Sequence, residues 1–94
     1  NNIKFCHIDN DNLIAFYKWN DSKTSEILVI INLDPSNTQN GSMQLPLSDI
    51  KSVEYGRPVQ VYDFISGNSY NWYDEWCYIE LQADLPLHIF KINK

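Results

Sequence analysis

The sequence is poor in cysteine, glycine and basic residues, and it has no long apolar segment. Its 94 residues include 2 cysteines, 3 glycines and 7 lysines or arginines against 12 aspartates or glutamates, which gives a net charge of −5. No apolar run approaches the roughly 20 residues that a membrane-spanning helix needs, so no membrane protein is expected. An acidic surface repels phosphate groups, so a nucleic-acid partner is not expected either.

Two further absences concern the compartment and the extent of the chain. A secreted scaffold of this size usually has more cysteines than Cys6 and Cys77. Both lie in alternating apolar segments, which predicts buried thiols and a cytoplasmic protein, although one bridge between them stays open. The sequence begins at Asn1, lacks the pattern of a signal peptide and enters a strand-like segment almost at once. We therefore expect one domain, residues 1–94, cut from a longer chain.

Apolar and polar residues alternate through most of the chain. This pattern is typical of β-strands that have one buried and one solvent-exposed face. The alternation is clearest in four segments, Met43–Leu47, Val59–Phe64, Cys77–Ala83 and Leu87–Ile92. Ile27–Ile31 is apolar at every position and rich in β-branched residues, which predicts a central strand.

Two more strand-like segments open the sequence. Ile3–Ile8 comes first, and Leu13–Trp19 follows with apolar or aromatic residues on both faces. Clusters of turn-forming residues separate the strands, at Asp9–Asn12, Asn20–Ser22, Asp34–Gly41 and Ser66–Asn68. The stretch 47–56 is the least decided, and a short helical turn there stays open. About eight short antiparallel strands predict a sandwich or a barrel.

Thiols and imidazoles are not spaced for catalysis or for zinc. Cys6 and His7 are neighbours on a strand, so their side chains point to opposite faces. Cys77 could meet His88 across two adjacent strands, but nothing there would lower the pKa of the thiol. The two cysteines and the two histidines also lack the spacing of zinc ligands. We interpret them as packed side chains.

Carboxylates give no better catalytic or metal signal. Asp9-x-Asp11 resembles the start of a calcium loop but lacks the later glycine and glutamate, so a solvated turn is expected. Asp74 and Glu75 adjoin in a loop, without the fixed separation that glycoside hydrolysis needs. Asp63, within a strand, is interpreted as a buried hydrogen-bond acceptor. No catalytic residue, no metal ligand and no cofactor is predicted.

Aromatic residues crowd one short segment. Five of them fall within nine positions, Tyr70, Trp72, Tyr73, Trp76 and Tyr78. Flat rings are the usual platform of carbohydrate-binding modules, so Tyr70, Trp72, Tyr73 and Trp76 are candidate α-glucan contacts. The alternative is that these rings seal the core or a domain interface, where Trp and Tyr are enriched.

Short motifs follow one another along the whole chain in a characteristic order. They are Asn32–Pro35 (NLDP), Gln39-x-Gly41, Leu45–Leu47 (LPL), Val61–Gly67, Tyr70-x-Trp72 and Pro86–Ile92. In this order they resemble the C-terminal β-sandwich of the α-amylase superfamily. They are most similar to that of the α-1,4-glucan:maltose-1-phosphate maltosyltransferases.

The resemblance implies an all-β fold, an antiparallel β-sandwich of about eight strands, that is a non-catalytic accessory domain. Its parent would be a retaining enzyme that transfers maltosyl units from maltose 1-phosphate to an α-1,4-glucan. The catalytic carboxylates would lie in a (β/α)₈ barrel that this sequence does not contain. That barrel would be the intramolecular partner, docked on an exposed apolar patch. The alternative function is a carbohydrate-binding module that holds α-glucan on the aromatic cluster.

Overall fold

Eight strands in two sheets form the fold over the residues that the computed structural model describes, 2–50 and 58–92. In chain order the strands are β1 (Ile3–Cys6), β2 (Leu13–Trp19), β3 (Glu26–Asn32), β4 (Gln39–Gln44), β5 (Val59–Asp63), β6 (Ser69–Trp72), β7 (Trp76–Leu81) and β8 (Leu87–Ile92). Neighbouring strands are antiparallel, so the predicted all-β sandwich is confirmed. Over the same ranges, no helix is long and apolar enough to cross a bilayer.

The two sheets differ greatly in size. The larger has six strands in the order β1-β2-β3-β8-β5-β6, and the smaller consists of β4 and β7. β3 lies in the interior of the larger sheet, between β2 and β8. This confirms the central position predicted for Ile27–Ile31, whose apolar character suits a strand with neighbours on both sides.

Alternate side chains of the facing strands meet between the sheets and form the core. The larger sheet contributes mainly Leu13, Ala15, Tyr17, Leu28, Ile30, Val59, Val61, Phe90 and Ile92, and the smaller sheet with its flanks contributes Met43, Leu45, Cys77, Ile79 and Leu81. Tyr17 is the one ring among the fully buried side chains of the described residues. Its hydroxyl donates to the Glu26 carboxylate and to the Asp49 carbonyl. Burial, and then the bond to Glu26, raise the pKa of Tyr17.

Hydrogen bonds close one side of the sandwich, where the residues that follow β1 lie beside β4. The Gln44 N–H donates to the His7 carbonyl over 2.9 Å. The Asp9 carboxylate accepts the Ser42 N–H over 2.7 Å. Gly41 permits this close approach, because a Cβ atom there would lie 2.7 Å from Asp9 Oδ1. We call these contacts the β1–β4 seam.

Four strands end earlier than the alternation predicts, and the first of them is β1, which ends at Cys6 instead of Ile8. β5 ends at Asp63, where the predicted hairpin begins, and Gly67 closes that hairpin in the left-handed region with φ 78°. β4 ends at Gln44 instead of Leu47, because the chain turns there: the Leu47 N–H bonds the carbonyl of Leu45 and the Asp49 N–H bonds that of Pro46, each over 2.9 Å.

The remaining differences are small. β7 ends at Leu81 and does not reach Ala83. The loop predicted from Asp34 to Gly41 is shorter, because β4 begins at Gln39. In the undecided stretch 47–56, residues up to 50 form a turn in which the Ile50 N–H reaches the carbonyl of Pro46 over 3.2 Å. The rest of that stretch lies outside the described residues.

Asn32 ties the end of β3 to the smaller sheet. Its side-chain amide donates to the carbonyls of Leu81 and Asn37, each over 3.0 Å, and its amide oxygen accepts the Asp34 N–H over 2.8 Å. The residue is 6% exposed. A buried amide with all these partners stabilises one loop geometry and would be costly to leave unpaired.

Asn32→Asp is expected to lower the free energy of unfolding by about 2–4 kcal/mol. The substitution keeps the shape but replaces both donated hydrogens with oxygen lone pairs that face carbonyl oxygens. Urea denaturation measures the effect. The matched control is Asn71→Asp at an exposed position of β6, which should change stability by no more than about 0.5 kcal/mol. Equal transition midpoints for the two variants would contradict this role of Asn32.

Candidate functional site

The predicted aromatic cluster is divided between two surfaces. Tyr70 and Trp72 lie on β6 and point toward the space between the sheets, since Tyr70 pairs with the buried Val61 and Trp72 with the buried Val59. Both rings meet Phe90 edge to face, with centroid distances of 6.3 Å for Tyr70 and 5.1 Å for Trp72. These two candidate residues therefore belong to one group at the edge of the core.

The other candidate rings lie outside that group. Trp76 and Tyr78 point away from the core along β7, because the intervening Cys77 is buried. Trp76 meets His7 edge to face at 5.7 Å. Tyr73 lies in the loop between β6 and β7 and is 76% exposed. Tyr70 and Trp76 are also exposed, by 42% and 47%.

A cleft opens between the two sheets on the side opposite the β1–β4 seam. It has a volume of about 180 Å³ and is lined by Ile30, Asp63, Tyr70, Trp72, Tyr78, Ile79, Glu80, Leu81, His88 and Phe90. Aromatic rings thus share this space with a carboxylate, Glu80, which accepts a hydrogen bond from the Tyr78 hydroxyl over 3.0 Å. The cleft is where apolar faces and hydrogen-bonding groups converge, the combination typical of small-ligand sites.

Fully buried Asp63 and half-buried His88 form a pair that lines this cleft. His88 Nδ1 lies 2.9 Å from Asp63 Oδ2. The same carboxylate accepts the Ile65 N–H and the Ser66 hydroxyl, each over 2.9 Å. Burial raises the pKa of Asp63, but these three hydrogen bonds outweigh it and hold that pKa below its usual value. The carboxylate is therefore ionised and His88 Nδ1 carries the shared proton.

This arrangement agrees with the interpretation of Asp63 as a buried acceptor and corrects the one proposed contact of His88. Sequence analysis allowed Cys77 to meet His88 across adjacent strands. The structure places them in different sheets, on β7 and β8. The Cys77 thiol instead lies 3.7 Å from the carbonyl of Asp74. The sequence did not reveal that His88 bonds Asp63, because the two are 25 residues apart and meet only through the β5–β8 pairing.

Both cysteines are free thiols. Cys77 is buried and Cys6 half-buried, so the predicted burial is complete for only one of them. Burial raises the pKa of Cys6 to about 11 and that of Cys77 to about 12. A thiolate is the reactive form, so neither group is activated near neutral pH.

Three other carboxylates that the sequence analysis considered, Asp9, Asp74 and Glu75, lie in loops. Asp9 belongs to the β1–β4 seam, and Glu75 accepts a hydrogen bond from the side chain of Gln44. Asp74 precedes it in the loop before β7, where the sequence placed both. No group of three or more His, Cys, Asp or Glu side chains suited to a metal ion occurs within residues 2–50 and 58–92.

A second surface was not identified from the sequence as a site. The side of the larger sheet that faces away from the core carries mostly apolar side chains. We call it the outer apolar face and define it by Phe5, Ile14, Phe16, Ile27, Val29, Ile31, Phe64, Leu87 and Ile89. Phe5 and Phe64 are 68% and 52% exposed. The signal was present in the sequence, since Leu13–Trp19 and Ile27–Ile31 are apolar on both faces.

Comparison with known proteins identifies the family. Residues 5–92 match the family model described as "GLGE, C-terminal". The chain belongs to this family. The match includes all eight strands apart from the first two residues of β1, so the family domain and the described sandwich coincide.

Several curated relatives of this GLGE C-terminal domain carry one name, alpha-1,4-glucan:maltose-1-phosphate maltosyltransferase. The protein of Picrophilus torridus is 39% identical over 84% of this chain, and that of Chlorobaculum tepidum is 36% identical over 90%. Maltosyltransferase 2 of Streptomyces coelicolor is 33% identical over 99% of the chain. This chain spans only 12%, 13% and 14% of the lengths of these relatives.

In this GLGE C-terminal domain, Asp63→Asn should reduce stability in a pH-dependent way. Folding lowers the pKa of Asp63 below 3.8, so its stabilising effect is complete above pH 4 or so and is lost as the pH falls through the folded-state pKa. The variant should be about 1–3 kcal/mol less stable than the wild type at pH 7. The difference should shrink from about pH 4 downward.

Denaturant titrations between pH 7 and pH 2 measure this difference. Asp74→Asn, in the exposed loop before β7, is the control and should follow the wild-type curve. A constant difference between Asp63→Asn and the wild type over the whole pH range would contradict the role assigned to the ionised carboxylate.

Proposed function

We propose that this chain is the C-terminal accessory domain of a longer enzyme that transfers maltosyl units from maltose 1-phosphate to an α-1,4-glucan. The observation that carries the proposal is the family match over residues 5–92, combined with the small share, 12% to 14%, of each named relative that the chain spans. In this proposal the catalytic carboxylates lie in the remainder of the polypeptide, in a (β/α)₈ barrel, and the protein works in the cytoplasm.

The contacts of the acidic residues support a non-catalytic role for the sandwich itself. A retaining transfer between sugars uses one carboxylate as nucleophile and a second as acid and base. The most buried acids here are already held by the fold, Asp63 by three hydrogen bonds and Glu26 by the Tyr17 hydroxyl. Asp63 fixes the hairpin after β5, and Glu26 fixes the start of β3. We propose that the domain stabilises the catalytic region.

The isolated chain is expected to release no phosphate from maltose 1-phosphate in the presence of glycogen, because residues 2–50 and 58–92 present no pair of carboxylates arranged for sugar transfer. A coupled phosphate assay on the purified 94-residue chain measures this. The intact polypeptide from the same gene is the positive control and should release phosphate. Turnover by the isolated chain that survives further purification would overturn the non-catalytic assignment.

A second candidate function is binding of α-glucan, and the exposure of the aromatic residues favours it. Tyr70, Tyr73 and Trp76 are all more than 40% exposed, and Trp72 lines the cleft beside Tyr70. Rings of this kind can stack on the apolar face of a sugar while the Glu80 carboxylate accepts hydrogen bonds from the sugar's hydroxyl groups. The cleft volume of about 180 Å³ limits such a site to a single sugar ring or a chain end.

Titration with maltoheptaose, followed by tryptophan fluorescence, tests this second function. Tyr70→Ala should weaken binding about tenfold if its ring stacks on sugar in the cleft, since a loss of about 1.4 kcal/mol is a factor of ten. Trp76→Ala should leave cleft binding unchanged, because Trp76 does not line the cleft. Phe5→Ala is the matched control, because Phe5 is an exposed ring on the outer apolar face. A flat titration curve for the unaltered chain would eliminate glucan binding.

A further inference from the structure

We propose that the outer apolar face is the surface on which the catalytic region of the same polypeptide docks. The inference rests on the proposed function and adds to it which of the sandwich surfaces is covered. In an antiparallel sheet with one face in solvent, the outward positions are usually polar. Here they are mostly apolar on β2, β3 and β8.

The strand register arranges these side chains in continuous rows across the sheet. The central row is formed by Phe5 opposite Phe16, Phe16 opposite Val29, and Val29 opposite Ile89. Phe64 extends it, because its N–H donates to the Ile89 carbonyl over 2.9 Å. The rings of Phe5 and Phe16 meet at 5.9 Å. Val29 is only 9% exposed although none of the eight described strands covers it, because its neighbours in the row shield it.

A second row runs parallel to the first and is equally apolar. Ile14 pairs with Ile31, and Ile31 pairs with Leu87. All three side chains are half-buried by one another. Two adjacent rows without a polar side chain form a contiguous patch, and contiguous patches mark interaction surfaces more often than scattered exposed residues do.

The charges on this side of the sheet are all of one sign. A third row contains Lys18 opposite Ile27 and Ile27 opposite Lys91. Over β1, β2, β3, β5 and β8, the outward positions contain no carboxylate, although the chain has 12 acidic residues and a net charge of −5. The complementary surface is therefore apolar, with carboxylates where it faces Lys18 and Lys91.

The size of the patch favours a tethered partner over a second copy of this chain. From β1 to β5 the face spans about 19 Å at the usual strand spacing, and its three rows span about 14 Å along the strands. The product, about 270 Å², is a third of the roughly 800 Å² that each partner buries in a standard stable complex. The smaller interfaces between domains of one chain bury about 600 Å² in total, so each domain contributes about 300 Å². The area of the outer apolar face is close to that share. A covalent tether supplies a high effective concentration, so a small interface suffices.

The path of the chain agrees with this occupant. β1 begins at Ile3, two residues from the start of the sequence, and it is the edge strand of the larger sheet. Phe5, the most exposed member of the face, lies on this strand. In the longer relatives of which this chain spans 12% to 14%, a region that precedes a domain of this family would enter beside the face.

Thiol labelling in the intact polypeptide tests the proposal. Phe5→Cys places a thiol on the outer apolar face, and Tyr78→Cys places one on the far side, at nearly equal native exposures of 68% and 66%. In the isolated chain the two should react with a maleimide at similar rates. In the intact polypeptide, Phe5→Cys is expected to react at least about 100-fold more slowly and Tyr78→Cys at an unchanged rate. Peptide mass spectrometry separates both signals from the native Cys6 and Cys77.

Equal labelling of Phe5→Cys in the isolated chain and in the intact polypeptide would overturn the proposal. A second variant, Phe64→Cys, repeats the measurement at the opposite end of the row in case Phe5→Cys itself weakens docking. Labelling of the isolated chain that slows as its concentration rises, together with a dimer in sedimentation, would assign the face to a second copy and also overturn the proposal.

Phosphate release from maltose 1-phosphate by the same intact protein tests the proposed function separately. If Phe5→Cys is protected in a protein that releases no phosphate, the docking surface is supported and the proposed activity is contradicted. If the protein releases phosphate but Phe5→Cys is labelled freely, the proposed activity is supported and the docking surface is contradicted.

Discussion

The structure depends on an imbalance between its two sheets. Two strands, β4 and β7, cover one face of a sheet that has six. The covered face is closed by a core in which Tyr17, Leu28 and Ile30 are fully buried. The opposite face is almost as apolar and has no second layer from the described part of this chain. Hydrophobic burial is the main driving force of folding, and here contacts among the described residues cover only one of the two apolar surfaces. A sandwich of this composition is best understood as one part of a larger core.

Polar residues at loop ends fix the geometry that this core leaves undetermined. Asn32 closes the loop after β3, and Asp63 closes the hairpin after β5. Both are buried, and both bond backbone groups across long sequence separations or around tight turns. Apolar packing has no direction, whereas these hydrogen bonds accept one arrangement of donors and acceptors. These hydrogen bonds give a structural role to one residue in each of the motifs NLDP and VYDFISG.

Sequence reasoning predicted the strands well because alternation reports burial directly. Ile27–Ile31 and Leu87–Ile92 lie where they were expected, since every second residue packs inward. The ends of strands were less predictable, because turn bonds such as that from the Leu47 N–H to the Leu45 carbonyl decide them and leave no alternation pattern. The candidate aromatic site was predicted as one cluster, and its division between β6 and β7 follows from sheet pairing. The outer apolar face was visible in Leu13–Trp19 and Ile27–Ile31, which are apolar on both faces, but Ile27–Ile31 was interpreted only as a central strand.

The β1–β4 seam has a consequence for how the sandwich moves. On that side, the backbone bonds from Gln44 to His7 and from Asp9 to Ser42 join the sheets. On the opposite side, side chains of both sheets, such as Trp72 and Ile79, line the cleft. Local opening begins where backbone cross-links are fewest and exposure is greatest. Opening of the sandwich should therefore begin at the cleft, with the β1–β4 seam acting as the hinge. The aromatic residues that line the cleft would separate from their neighbours first.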